Sequence, residues 1–305
     1  MKAVVLREPG GPERLEYTDV SDAAAAEGQS LVRVRAAGVN FADVLVRQGR
    51  YPQMPELPAV LGSEIAGELD GRRVMGLPRS GGGGYAELVA VPDEWLVPLP
   101  DGASFAEGAA FLLTFLTAWI PLTRQARVDE RTTVLVLAAA GGVGTAAVQV
   151  ARHLGATVVG AASSDEKLAV ARELGAAEAR TYDRLEDVRA DVVVDPIGGE
   201  HFAGAIRLLE PLGVVLALGS AAGAWPQLDP TLLVGRNVGV QGFFLGRLMR
   251  LAPERVREAI DELLPLWEGG AIRPVVGTEF PLEQVAEAHA LIECRQNRGK
   301  VVLTT

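Results

Sequence analysis

Hydrophobic and polar positions change rhythm about a third of the way along the chain. Early on, Leu31-Val32-Arg33-Val34-Arg35-Ala36 alternates apolar and charged residues, the period-two signature of a strand with one buried face. Glycines and prolines punctuate the sequence up to Pro100, which predicts short strands joined by loops. Residues 81–84 are four consecutive glycines, read as a surface connection or as the mobile lip of a cleft. From Thr132 the alternation gives way to continuous apolar runs at 133–138, 156–161, 192–194 and 213–218, as expected of strands covered on both faces. Between them the spacing turns helical. Val143, Ala146, Ala147, Val150 and Leu154 share one face, and Gly155 stands where a helix-ending glycine belongs. Helices follow at 165–174 (closed by Gly175), 201–209 and 253–267, with a further strand at 238–243.

Strands and helices alternating in this way predict right-handed βαβ units and an α/β, doubly wound parallel sheet over residues 116–270, with its ligand at the carboxyl ends of the strands. Strands at 274–276 and 301–303 come after it and are expected to rejoin the first domain, made of residues 1–115 and 271–305.

Composition narrows the function. The chain has 305 residues, 49% hydrophobic and 22% charged, which is ample for two packed cores and unlike a disordered chain. Its formal net charge of −10 argues against a phosphate-gripping nucleic-acid binder. A single cysteine, Cys294, excludes an intrachain disulfide and any zinc site needing several thiolates. His153, His201 and His289 show no ligand spacing, so no metal is expected. The opening residues Met1 to Glu8 do not form a signal peptide. The longest apolar stretch, 109–122, is broken by Thr114, Thr117 and Pro121 and falls short of the roughly 20 residues of a membrane span. A cytoplasmic protein is expected, with no membrane partner.

The turn Ala139-Ala140-Gly141-Gly142-Val143-Gly144 joins the first buried run to its helix, the context a dinucleotide fingerprint requires. Gly141 would let the backbone approach a pyrophosphate, Gly144 would let helix pack against strand, and the helix N-terminus would favour the anion. An NAD site usually carries an Asp or Glu at the end of the second strand. Here that end reads Gly160-Ala161-Ala162-Ser163-Ser164, with Lys167 close behind. Hydroxyls and a cation suit a 2′-phosphate, so NADPH is favoured over NADH. Asp165 is the competing feature, unless it caps the following helix.

These residues carry a resemblance. Val136-Leu137-Ala138-Ala139-Ala140-Gly141-Gly142-Val143-Gly144 followed by Ala147-Val148-Gln149 is similar to the zinc-independent, zeta-crystallin-like quinone oxidoreductases of the medium-chain dehydrogenase/reductase superfamily. So are Ala37-Gly38-Val39-Asn40-Phe41-Ala42-Asp43, Arg47-Gln48-Gly49-Arg50-Tyr51-Pro52, Leu61-Gly62-Ser63-Glu64, Gly84-Tyr85-Ala86-Glu87, Leu116-Thr117-Ala118-Trp119 and Gly299-Lys300-Val301-Val302. The likeness covers nearly the whole chain. It implies a GroES-like catalytic domain beside the Rossmann domain, and a homodimer. Zinc-dependent relatives have a Cys where Asn40 stands and a His where Ser63 stands.

By matched position, Ala140, Gly141, Gly142, Val143 and Gly144 would cradle the pyrophosphate. Ser163, Lys167 and Tyr182 would surround the 2′-phosphate, and Thr117, Gly219, Phe243 and Leu245 would hold the nicotinamide end. Asn40 would approach the nicotinamide ribose and substrate, with Tyr51 and Asp43 lining the cleft. Asp43 would equally serve as a helix cap, and Asn40 as a turn amide. The chain departs from the family at Leu45, where many members have tyrosine, and in the short 65–84 segment.

The chemistry expected is hydride transfer to a soft acceptor. A quinone is electron-poor and its reduced form is a stabilised oxyanion, so it needs neither a Lewis acid nor a strong proton donor. An NADPH:quinone reductase is the leading reading. The alternatives are a reductase of activated C=C bonds (enones, enals or enoyl thioesters, the last served by a basic rim of Arg50, Arg72, Arg73 and Arg79) and a non-enzymatic NADPH sensor.

Overall fold

The computed structural model describes residues 1–78, 82–223 and 227–305. Gly81 and Arg79 therefore lie outside the described residues. Elements are numbered along the chain. The first stretch gives β1 (Lys2–Leu6), β2 (Leu15–Asp19), β3 (Gln29–Val39), α1 (Phe41–Arg47), β4 (Ala59–Val60), β5 (Ile65–Leu69), β6 (Arg72–Gly76), β7 (Leu88–Pro92), β8 (Leu96–Pro98), α2 (Phe105–Gly108) and α3 (Leu112–Ile120). The middle gives β9 (Thr133–Val136), α4 (Gly142–His153), β10 (Thr157–Ala162), α5 (Asp165–Glu173), β11 (Glu178–Thr181), β12 (Ala190–Asp195), α6 (Glu200–Arg207), β13 (Leu209–Ala217), α7 (Pro230–Arg236), β14 (Gly239–Gly242), α8 (Leu245–Leu251) and α9 (Pro253–Glu268). The last stretch adds β15 (Val276–Pro281), α10 (Val285–Glu293) and β16 (Lys300–Thr304).

The chain divides into two compact units. One comprises Met1–Leu113 with Pro274–Thr305, the other Thr114–Arg273. The discontinuous unit is β-rich. β1 pairs antiparallel with β2 and β4, and a seven-stranded sheet runs β15-β16-β3-β5-β6-β8 with β7 also on β3. β3 alternates exposed arginines with buried Val32, Val34 and Ala36, as its sequence pattern predicts. β16 lies between β15 and β3, with Val302 opposite Gly38 and Val301 opposite Val39. That register sets Lys300 beside Asn40, just past the end of β3.

Gly82–Gly84 do not behave as a lip. Gly83 N–H donates to the Val60 carbonyl at 2.8 Å and Gly84 N–H to the Gly62 carbonyl at 2.9 Å. A Cβ on Gly82 would sit 1.9 Å from the Val60 oxygen, so glycine is required there by close backbone approach.

The continuous unit carries a six-stranded parallel sheet in the order β11-β10-β9-β12-β13-β14. Leu135, Val159, Val193 and Val215 form the middle of its core, covered on one face by Phe202, Ala205 and Ile206 of α6. Five of its six strands are those the apolar runs predict; β11, whose residues are only partly buried, was not expected, and two further differences stand out. Leu209 belongs to β13 rather than to α6, because its backbone pairs with Ala190. Helices α7 and α8 were not expected. α7 buries no residue, and α8 buries only Leu245, so neither shows an apolar stripe in sequence.

Candidate active site

The apolar strand β9 ends at Val136, and the chain turns through Ala138, at φ 50°, into α4. Gly141 is the helix N-cap in extended conformation, and a Cβ there would meet only the Ala138 carbonyl oxygen, at 3.3 Å. Gly144 is the opposite case. A Cβ there would fall 2.0 Å from the Ala138 carbonyl oxygen, so the helix can pack on the strand only with glycine. Ala140 and Gly144 are buried, while Gly141, Gly142 and Val143 remain half-buried at the N-terminus of α4. First-turn N–H groups there have no intrahelical acceptor, which makes the turn an anion seat.

The next two strand ends lie beside this turn. Ala162 of β10 is paired with Thr181 of β11, which brings Ser163 and Tyr182 abreast. Ser163 is exposed, Ser164 is the N-cap of α5, and Lys167 stands in the first turn of that helix. Asp165 is exposed in the same turn, where its charge complements the helix dipole, beyond the end of β10. Tyr182 lies in a short 3₁₀ turn. Its hydroxyl accepts the Ala138 N–H at 3.1 Å and its ring stacks obliquely on His201 at 5.0 Å.

Thr117 and Leu113 are the two half-exposed positions on the otherwise buried α3. Gly219 follows β13 and packs on the Pro196 carbonyl, where a Cβ would come to 3.0 Å. Phe243 N–H donates to the Ala217 carbonyl at 3.0 Å, and Leu245 begins α8. Between the ends of β12 and β13 sit two buried orphan oxygens, Asp195 Oδ2 and Ser220 Oγ. Asp195 Oδ1 accepts the Ile197 and Gly198 N–H groups, and burial raises its carboxyl pKa above the usual range. Unsatisfied buried polar atoms at the carboxyl ends of a parallel sheet are what a polar ligand would partner.

The discontinuous unit gathers a second cluster around Asn40. Asn40 N-caps α1 in a capping box, its N–H donating to Asp43 Oδ2 at 2.8 Å. Asp43 is only 2% exposed, so it does not line a cleft as expected. It is a strut whose carboxylate also accepts from Ser63 Oγ at 3.0 Å and from the Tyr85 hydroxyl at 3.1 Å. Burial raises its pKa, and that of the Tyr85 phenol. Tyr51 is half-buried, and its phenol is pushed up to about 12 by burial and then by the Asp43 carboxylate. It therefore stays a proton donor at neutral pH.

Two charged residues here carry no expected role. Lys300 Nζ donates to Asn40 Oδ1 and to Glu64 Oε2, both at 2.6 Å. Glu64 is fully buried, its other oxygen accepts the Leu113 N–H at 2.8 Å, and burial raises its pKa. The sequence holds a signal only in hindsight, because Gly38 leaves the space: a Cβ there would strike the Lys300 Cε and Glu64 Oε2 atoms. Among the described residues no three His, Cys, Asp or Glu side chains are grouped as metal ligands would be.

Comparison with known proteins gives this geometry its family. The alcohol dehydrogenase GroES-like domain matches residues 26–101 and the zinc-binding dehydrogenase domain residues 142–264. The chain is 34% identical to a quinone oxidoreductase of Pseudomonas aeruginosa, covering 99% of both chains. It is 34% identical to the human synaptic vesicle membrane protein VAT-1 homolog, over 99% of this chain and 86% of that one. The quinone oxidoreductase of Thermus thermophilus, whose structure is known also in complex with NADPH, superposes with a TM-score of 0.90 at 41% identity over the full length of both chains. The GroES-like and Rossmann pair implied by the resemblance is thus the fold of this protein, and the chain belongs to the quinone oxidoreductases of the medium-chain dehydrogenase/reductase superfamily, a family of oxidoreductase enzymes.

Proposed function

We propose that the chain is an NADPH-dependent reductase that delivers hydride to a quinone without a metal ion. The observation that carries this reading is the turn at the start of α4. Gly144 makes it possible, Gly141 adds no side chain to its face, and a hydroxyl at the adjoining strand end and a lysine in the next helical turn stand where a carboxylate would select NADH. The residues fit the cofactor. Ala140 to Gly144 would hold the pyrophosphate, with the first-turn N–H groups of Gly142, Val143 and Gly144 turned to it while the Gly141 N–H donates to the Ala138 carbonyl at 2.8 Å, and Ser163, Lys167 and Tyr182 would meet the 2′-phosphate. Thr117, Gly219, Phe243 and Leu245 would hold the nicotinamide end. NADPH bound in this way supplies the hydride.

The acceptor side would be served by Asn40 and Tyr51, with Asp43 beneath them. Tyr51 keeps its proton at neutral pH and can donate a hydrogen bond. Asn40 and Ser63 stand where metal-dependent relatives carry ligands, and neither is a ligand type that holds zinc. Such a site favours an acceptor whose reduced oxygen needs no Lewis acid. The basic-rim argument for enoyl thioesters is weakened, because Arg73 donates to the Ala103 carbonyl and lies 4.7 Å over the Phe105 ring.

The same reading makes the protein a cytoplasmic homodimer. The helical stretch Phe105–Gln125 matches a membrane span in length and composition, but 83% of it is buried, which suits a core helix. β14 is an open sheet edge, and the residues near it include exposed Leu212 and Val234, a surface suited to pairing with a second copy.

The deciding experiment follows NADPH oxidation against an ortho-quinone, a para-quinone, an enone, an enal and crotonyl-CoA, with NADH in parallel and zinc measured in the purified protein. Turnover of the quinones with NADPH and no stoichiometric zinc is expected. Turnover of the enone alone, a preference for NADH, or bound zinc at one per chain would each refute the corresponding part.

A further inference from the structure

We infer that Lys300, acting through Asn40, supplies the positive electrostatic support for the oxyanion that develops on the acceptor. The inference rests on the reading above and assigns a positioning residue to it.

The hydrogen bonding around Asn40 fixes its amide unambiguously. A lysine ammonium has only donors, so the atom 2.6 Å from Lys300 Nζ is the amide oxygen. The amide nitrogen therefore faces away from Lys300. Among the described residues its one acceptor is the Gly38 carbonyl, at a long 3.3 Å. Asn40 thus offers an incoming ligand an N–H, and its carbonyl is already taken. The ligand atom it suits is an oxygen that accepts.

The support behind the amide is charged and dry. Lys300 is 3% exposed and Glu64 is fully buried, so water does not screen them. Glu64 is anchored from its other side by the Leu113 N–H, at the first turn of α3. Lys300 is shared between the Glu64 carboxylate and the Asn40 amide oxygen, both at 2.6 Å. An ammonium bonded to an amide oxygen polarises the amide and strengthens its N–H as a donor. Asn40 is itself held by the Asp43 capping bond, so the donor is preorganised.

The reaction gains from such a donor, and more so the less electron-poor the acceptor. Hydride adding to a conjugated acceptor forms one new bond to hydrogen and pushes an electron pair onto the acceptor oxygen. A proton from solvent then completes the product, and NADP⁺ is left. Charge on that oxygen is the only charge created on the acceptor, and a fixed N–H backed by a cation stabilises it.

The test separates this role from simple structural support. A series of para-quinones with increasingly electron-donating substituents, ending with a cyclic enone, is assayed with wild type, Lys300→Arg, Asn40→Asp and the Lys300→Met/Glu64→Gln pair. The pair avoids leaving Glu64 alone in the interior. NADPH affinity by fluorescence quenching and melting temperature are measured alongside. In the Lys300→Met/Glu64→Gln variant kcat is expected to fall roughly tenfold for the most electron-poor quinone and about 10²- to 10³-fold for the enone. NADPH affinity should change little, and Lys300→Arg should keep most of the wild-type slope. Asn40→Asp can pair with Lys300 and so should fold, but it removes the donor and should show the same steepening. Loss of equal size across the series, or no loss with Asn40→Asp, overturns the inference while leaving the proposed reaction standing. Wild type that oxidises NADPH with none of the acceptors overturns both.

Discussion

The Tyr182 hydroxyl accepts a hydrogen bond from the Ala138 N–H at 3.1 Å, tying the end of the third strand in the βαβ series to the backbone of the glycine turn. Ala138 is also the residue whose carbonyl excludes any side chain at Gly144. Replacing Tyr182 by Phe leaves that N–H without its partner at a cost of about 1–2 kcal/mol. Both the melting temperature and NADPH affinity should fall. Affinity lost with stability intact would mean that the hydroxyl meets the phosphate and contributes nothing to the turn.

Gly141 and Gly144 should fail differently. Gly144→Ala forces Cβ into the Ala138 carbonyl and is expected to cost about 3 kcal/mol of stability, with NADPH binding lost along with the turn. At Gly141 the backbone is extended (φ −81°, ψ 174°) and the nearest atom lies 3.3 Å from the added Cβ. Gly141→Ala should therefore lose far less stability than Gly144→Ala, since the Ala138 carbonyl need give only a few tenths of an ångström, yet bind NADPH at least tenfold more weakly, because its methyl would occupy the anion seat. Calorimetry of unfolding and of cofactor binding on both variants checks the contrast.

Cofactor preference should invert at one position. Ser163 is exposed directly after β10, abreast of Tyr182. Ser163→Glu places a carboxylate where it repels a 2′-phosphate and can accept from ribose hydroxyls. NADPH affinity should fall roughly tenfold or more, and that for NADH should rise. Paired KM measurements with the two cofactors decide it.

Acid should destabilise the protein through His289. This ring is fully buried, neither nitrogen has a partner among the described residues, and burial, with Arg47 nearby, pulls its pKa down to about 3. The unfolded chain binds a proton near the usual 6.5 and the folded one does not. The stability His289 contributes is therefore complete above about 6.5 and is lost as pH falls toward 3. At a pH of about 5 the loss is about 2 kcal/mol. The raised carboxyls of Asp43, Glu64 and Asp195 act in the opposite sense, since they favour folding on the acid side. Denaturant titrations of wild type and His289→Leu at pH about 5 and about 7.5 isolate the histidine. Identical pH slopes would exclude it as the source.

The parts that were legible in sequence are those whose signals are local. An apolar run, a glycine turn and an amphipathic helix follow one another within residues 133–154, and the structure builds β9, the turn and α4 from them. The cluster around Asn40 was half legible, because capping by Asp43 is a three-residue relationship. Lys300 was not. It lies 260 residues from Asn40, opens a strand where a lysine looks like a surface residue, and acquires meaning only when β16 pairs with β3. α7 escaped for another reason: a helix that buries nothing leaves no stripe to read.

The pairing of β16 with β3 also dictates an order of completion. The whole parallel-sheet unit, Thr114–Arg273, has been synthesised before the strand that carries Lys300 emerges to fill its place between β3 and β15. A ribosome-stalled chain ending just short of Gly299 should already retain nucleotide on its glycine turn yet be catalytically silent. The strand β16 would thus act as the switch from binder to catalyst.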